Sequence, residues 1–558
     1  MMREVLLSVK NLNICFGEKT VLKDFSYELK RGQVLGIVGE SGSGKTLSSL
    51  ALLKLLPKNA HVESGESIFF DSLTESYVDL LSLKESEIRK YRGRHISMIF
   101  QEPMSSLNPS KKCGVQLTEM IKVHLSLSSK QAREKVLALF AEVKLPLPEE
   151  VFNKYPYELS GGQQQRVMIA MAISCDPQIL IADEPTTALD VTIQKEILLL
   201  LKSLQQKLGI SIIFISHDLD VVSSIATDIL VLRNGKIMEH GKAEQIINDP
   251  QSDYTKGLVA CKPNRKFRAF PLPTVADFIN KVDLEFNIEK TEDRNKRHTD
   301  IYANKPILTV RNLNLSFGKS SFFGKSVNRK QILKGVNFEL YKGETLGLVG
   351  ESGSGKTTIG RSLMNLLNYT ADEFTIGDRN ISDFSLKELR RKVQIIFQDP
   401  FSSLNPKKTV GDAIMEPLMV HTNKKKEHCK IEVLELLEKV GLSIESFGKY
   451  PHEFSGGQRQ RIGIARSLIL NPEILICDES VSALDVSVQA QILNILTDLK
   501  KKFDLTYVFI SHDMSVVKYF SDRIMVLNSG LVEEIKEADT LFNAPATDYT
   551  KKLIGSII

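Results

Sequence analysis

The chain repeats itself, and this constrains its fold more than any other feature. GESGSGKT stands at residues 39–46 and again at 350–357, and IFQEPMSSLNP at 99–109 returns as IFQDPFSSLNP at 396–406. Ser160 and Ser455, Glu184 and Glu479, Asp190 and Asp485, His217 and His512, and Asp253 and Asp548 all stand 295 residues apart. Matched words at one constant spacing mark a duplicated domain. Lys45 and Lys356 are 311 apart, so the first copy carries extra length between Lys45 and Gln101. At 558 residues the chain also exceeds what one hydrophobic core serves. The spacing predicts one unit over 1–262, a linker over 263–305 and a second unit over 306–558. The linker is basic and proline-marked. Its charge run EKTEDRNKRHTD, at 289–300, is expected to be a solvated tether.

Bulk properties remove several classes. Hydrophobic residues make up 42% and charged residues 25%, as in ordinary globular domains. No apolar run reaches the length of a membrane helix, and no apolar segment follows a basic start, so a cytoplasmic address is expected. The six cysteines lie far apart with no CxxC pair, which favours buried thiols over a zinc site or disulfides. A net charge of +5 against 73 basic and 68 acidic residues gives no nucleic-acid footprint. The basic loop at 318–331 is expected to be solvated.

Local patterns alternate strand and helix. VLGIVG at 34–39 and ILIAD at 179–183 are short apolar runs bounded by turn residues, SIIFISHD at 211–218 is a third run that ends in polar residues, and all three recur in the second copy. Such runs predict strands buried on both faces of a parallel sheet, with ligands beyond their carboxyl ends. After the first of them comes GxxxxGK[ST]. Its glycines let backbone N–H groups curl around phosphates, and the next helix offers its positive N-terminus. Gly39, Ser41, Gly42 and Gly44, with Gly350, Ser352, Gly353 and Gly355, make the two loops. Lys45 and Lys356 would neutralise β/γ phosphate oxygens, while Thr46 and Thr357 would offer hydroxyls to Mg²⁺. Asp183-Glu184 and Asp478-Glu479 place two acids at a strand tip. Each Asp is assigned to Mg²⁺ and each Glu to the general base on water, against the alternative that such acids merely cap helices.

LSGGQ at 159–163 and FSGGQ at 454–458 match the signature motif of the ABC ATPase family, which the chain therefore resembles. The resemblance implies an α/β fold of two P-loop NTPase (ABC-type) domains. Each would have a mainly parallel core sheet, an antiparallel β subdomain and a helical subdomain carrying the signature. It implies two shared ATP sites: Lys45 working with Ser455, Gly456, Gly457 and Gln458, and Lys356 with Ser160, Gly161, Gly162 and Gln163. Gln101 and Gln398 match the family's glutamine, which reaches metal or water. His217 and His512 match its γ-phosphate histidine, and Asp190 and Asp485 its loop aspartate. Phe16 and Phe317 match its adenine-stacking aromatic, although either suits an ordinary core. Ser480 replaces the Pro185 of the first copy, but the acid before it is kept, so two hydrolysis-competent sites are expected.

Further words resemble the oligopeptide, dipeptide and nickel importer ATPases: IFQ[ED]P followed by SSLNP, YPxE[LF]SGGQ, ALDVxxQ, and the tails DYTKGL and DYTKKL. The first half looks like the D-type subunit and the second like the F-type. That likeness implies a peripheral protein on the inner side of the cell membrane. It would bind two membrane permease subunits through the regions after Gln101 and Gln398, and through them an extracytoplasmic binding protein. The alternative is a soluble tandem ABC ATPase acting on ribosomes. The SSLNP words and the importer-like tails stand against it.

Overall fold

The apolar runs become strands buried along their whole length. Val34–Val38, Ile179–Asp183 and Ser211–Ser216 have no exposed residue, which is how a parallel sheet covered on both faces reads. In the computed structural model, which describes residues 4–72, 74–102, 106–187, 189–264, 267–282, 287–318, 330–399, 403–481 and 484–557, each half builds a six-stranded sheet. The first runs Lys236–Lys242, Asp228–Arg233, Val34–Val38, Ser211–Ser216, Ile179–Asp183, Ile96–Ile99. The second repeats that order with Leu531–Glu537, Arg523–Asn528, Thr345–Val349, Thr506–Ile510, Ile474–Asp478 and Val393–Ile396. Only the outer pair of each is antiparallel. In the first half Asn234 and Gly235 turn that pair with φ of 47° and 76°, the left-handed geometry of a two-residue hairpin. A side chain at Gly235 would stand 2.2 Å from the Val21 carbonyl oxygen.

Beside each core lies an antiparallel sheet, centred on Val5–Phe16 in the first half and Pro306–Phe317 in the second. Here the extra length of the first copy is found. Ala60–Asp71 spans 12 residues where its counterpart Glu373–Ile376 spans 4. A helical layer completes each half: Cys113–Leu125, Ser129–Glu142 and Gly161–Ile173, repeated as Val410–His421, Lys426–Lys439 and Gly456–Leu468. The expected fold class is therefore the observed one. One apolar cluster reaches into both halves, including Val38 and Phe214 of the first and Val349 and Phe509 of the second. Among the described residues no helix is long and apolar enough to cross a membrane. All six cysteines are buried thiols.

The charge run at 289–300 departs from its expectation. It forms the helix Thr291–Tyr302, and Arg294 and His298 are only 5% and 8% exposed. Arg294 pairs with Glu289 at 3.2 Å and Glu537 at 2.9 Å and donates to the Ser521 carbonyl at 3.0 Å. Arg297 and His298 both reach Asp522, at 2.6 and 3.2 Å. Burial pushes the Asp522 carboxyl up, but Lys500, His298 and Arg297 outweigh it and hold it well below the usual range. Arg268 adds a 2.6 Å pair to Asp539, and Leu272 exchanges two 2.8 Å backbone bonds with the Asn494 amide. A run of unlike charges is solvated only where no complementary charges wait. Here the second half supplies them, so the segment is clamped rather than free. The loop at 319–329 lies outside the described residues, as do Ala188 and Ala483 of the ALDV words.

Candidate functional site

Each lysine loop follows the carboxyl end of a central strand. Gly42 and Gly44 take φ of 76° and 102°, and Gly353 and Gly355 take 79° and 110°, so backbone amides turn inward as L side chains would not allow. Lys45 opens the helix Lys45–Leu52, and its Nζ donates to the carbonyls of Gly39 at 2.7 Å and Glu40 at 2.9 Å. Lys356 does the same to Gly350 at 2.7 Å and Glu351 at 3.0 Å. Burial lowers the pKa of both ammonium groups. Glu184, Asp485 and Asp183 oppose it at Lys45; Glu479, Asp190 and Asp478 oppose it at Lys356. Each lysine therefore feels its own acid pair and one aspartate of the other half.

The paired acids do not cap helices. Thr46 donates to Asp183 at 3.2 Å, and Thr357 to Asp478 at 2.9 Å. Glu184 accepts from Gln101 Nε2 at 3.0 Å and from Thr187 Oγ1 at 2.9 Å, and its other oxygen lies 3.3 Å from His217 Nδ1. Glu479 accepts from Gln398 at 2.7 Å, with His512 3.7 Å away. Both glutamates sit at φ 47°, a left-handed conformation that non-glycine residues hold only where surrounding structure imposes it. Burial alone pushes the Glu184 carboxyl up, yet His217, Thr187 and Lys45 outweigh it and hold it at about 2. His217 moves the other way: burial disfavours its proton, but Glu184 and Asp485 raise its pKa. Burial pushes Asp183 up to about 6 and Asp478 in the same direction. Each site thus holds an ionised carboxylate wired to an amide and an imidazole, beside an acid whose negative charge calls for a cation. Thr187 was not singled out from the sequence, since a threonine within EPTTALD carries no signal of its own.

The two signature turns are capping boxes. Ser160 accepts from the Gln163 amide while the Gln163 side chain accepts from the Ser160 amide, and Ser455 and Gln458 do likewise. A side chain at Gly162 would stand 2.9 Å from Ile193, and one at Gly457 2.4 Å from Val488. Each turn therefore leans on the helix behind the loop aspartate, Val191–Leu208 or Val486–Phe503. Phe16, at the end of its strand, is partly buried, and Phe317 is 50% exposed, too open for a core role.

The halves meet across these loops within one chain. Ser41 donates to Asp485 through its amide at 3.0 Å and its hydroxyl at 3.2 Å, and Ser487 donates to Glu40 at 2.5 Å. Among the described residues no hydrogen bond across the seam starts at Ser160 or Ser455. Asp190 instead caps its own helix, accepting from Ile193 at 3.0 Å. Asp485→Ala is therefore expected to loosen the first lysine loop, read as faster amide exchange over 39–44. Asp190→Ala is expected to cost about 1 kcal/mol of stability through the lost cap and leave that exchange alone. Equal effects of the two changes on exchange would contradict this asymmetry.

Residues 22–187 and 333–482 match the ABC transporter family, and 238–276 match the C-terminal region of oligopeptide/dipeptide transporters. The chain belongs to the ABC transporter family. It is 42% identical, over 99% of its own length and 89% of theirs, to proteins named glutathione import ATP-binding protein GsiA from Escherichia coli O6:H1, Escherichia coli K12 and Shigella boydii serotype 4. This ABC chain is an ATP-binding subunit of the peptide-importer type, an ATPase coupled to transport.

Proposed function

We propose that two ATP molecules bind at the seam, each between the lysine loop of one half and the SGG turn of the other, and that their hydrolysis drives import through two permease subunits. What carries the reading is the seam contact of Ser41 with Asp485, together with the charge that Asp190 lends to Lys356. Each half turns its phosphate loop toward the aspartate segment that continues from the other half's signature helix. A γ-phosphate placed there touches both halves. It therefore adds contacts to the closed form alone and shifts the equilibrium toward closure.

Glu184 and Glu479 take the proton of the attacking water, Gln101 and Gln398 orient it, and His217 and His512 steady the carboxylate and the γ-phosphate. Phe16 and Phe317 stack on adenine. The donor set near each lysine, a threonine hydroxyl, an aspartate and a glutamine oxygen, suits a hard cation such as Mg²⁺. Thr46, Asp183 and Gln101 would hold it in one site and Thr357, Asp478 and Gln398 in the other. Bound there, it would neutralise phosphate charge. Cleavage of the γ-phosphate and its departure as inorganic phosphate remove the contacts that bridge the halves and reopen the seam.

The chain works on the inner face of the cytoplasmic membrane, docking permeases through the segments after Gln101 and Gln398, with substrate delivered by an extracytoplasmic binding protein. The relatives point to glutathione or a similarly small peptide as the solute. In a strain lacking this chain, uptake of labelled glutathione or dipeptide is expected to fail and to return with the intact gene, and the chain is expected to co-purify with two permeases. Co-purification with ribosomes and unchanged uptake would refute the proposal.

A further inference from the structure

We propose that Tyr254 and Tyr549, in the tail helices of the two halves, are positioning residues for ATP: each holds the shape of its own lysine loop and ties it to the opposite half. The inference rests on the reading of the lysine loops as ATP sites and adds to it the element that sets their geometry.

The two tyrosines share the 295-residue spacing and sit in the helices Asp253–Ala260 and Asp548–Gly555. The Tyr254 phenol oxygen accepts from the Glu40 amide at 3.4 Å, and that of Tyr549 from the Glu351 amide at 3.1 Å. Tyr254 is 1% exposed, with the Arg233 guanidinium 5.1 Å over its ring. A phenol so deep in a protein needs a partner for its oxygen, and here the partner is a lysine-loop amide. Burial pushes both phenols up, so they remain neutral acceptors at working pH.

Glu40 is a node. Its amide goes to Tyr254, its carbonyl accepts from Lys45 at 2.9 Å and its carboxylate accepts from Ser487 of the other half at 2.5 Å. Glu351 repeats the first two links, the second from Lys356 at 3.0 Å. Both tail helices also touch the opposite half. Asp253–Ala260 packs on Val486–Phe503, and the Gly555 carbonyl accepts from Lys195 at 2.6 Å. Closure of the seam therefore presses on the helix whose tyrosine fixes the amide next to the phosphate curl. Mere filling of the core would need only the ring.

Tyr254→Phe and Tyr549→Phe in the full chain keep the ring and remove the oxygen. Each is expected to raise KM for ATP and the dissociation constant of a fluorescent ATP analogue about threefold to tenfold, the range of one lost hydrogen bond. kcat at saturating ATP and the melting temperature should stay near wild type. Amide exchange in the peptide carrying Glu40 or Glu351 should rise. Unchanged KM and exchange in both variants, with or without a lower melting temperature, would assign the tyrosines to packing alone and overturn the proposal. Lys45→Ala and Lys356→Ala separate the two failures. If they abolish nucleotide binding while the tyrosine variants bind normally, only the positioning role falls; if they too bind normally, the ATP-site reading falls with it.

Discussion

Replacing both Glu184 and Glu479 by Gln is expected to lower ATP turnover about 10²–10⁴-fold, the usual contribution of a general base. The carboxamide keeps the size of the side chain and one oxygen for the bonds now made by Gln101, Thr187 and Gln398, so nucleotide affinity should hold. What it loses is the capacity to accept a proton. With Glu184 held at about 2 by His217, Thr187 and Lys45, the carboxylate is charged throughout the neutral range, and acid down to about pH 4 should not remove the base. Each single change should abolish at least about half of the turnover, because each glutamate has a glutamine and a histidine beside it, Gln101 and His217 in one site and Gln398 and His512 in the other. Phosphate release at saturating ATP measures this. A single variant with full turnover would show that the two sites are not equivalent.

Arg294→Ala is expected to destabilise the second half by roughly 3 kcal/mol, seen as a lower urea or thermal midpoint. Removing one partner of a buried charge cluster leaves the others without compensation. Arg294 is nearly enclosed, while Glu289 and Glu537 are only partly open to water, so water offsets part of the loss. Arg294→Lys should restore part of it, since an ammonium lacks the planar fork that spans Glu289, Glu537 and the Ser521 carbonyl. A loss under about 0.5 kcal/mol, the level of an ordinary surface substitution, would mean that the segment is a tether after all.

Much of this molecule is legible in one dimension. A phosphate loop needs glycines, a lysine and a hydroxyl at fixed intervals, and buried parallel strands need unbroken apolar runs, so residues 34–46 and 179–184 announce both. Doubling of the words removes chance. The extra length between Lys45 and Gln101 was also visible, though not that it lengthens the strand Ala60–Asp71. The charge run at 289–300 has the composition of a solvated tether yet is clamped, because composition gives the sign of a side chain and not whether Asp522 and Glu537 stand opposite. The left-handed backbone of Glu184 and Glu479 has no sequence signal, since glutamate does not favour it and only the surrounding contacts impose it. Tyr254 and Tyr549 stand in the tails DYTKGL and DYTKKL, whose residues by themselves assign them no task.

The sequence by itself determined the kind of protein, an ABC-type ATPase with two glycine-rich lysine loops, paired acids and signature turns on duplicated α/β units, because those motifs demand particular side chains at short range. Only the tertiary structure decided the partnership: that Ser41 meets Asp485, that Glu40 joins three segments and that the linker is clamped on the second half. Such contacts join residues hundreds of positions apart, and their strength depends on distance and burial, which a string of residues does not record.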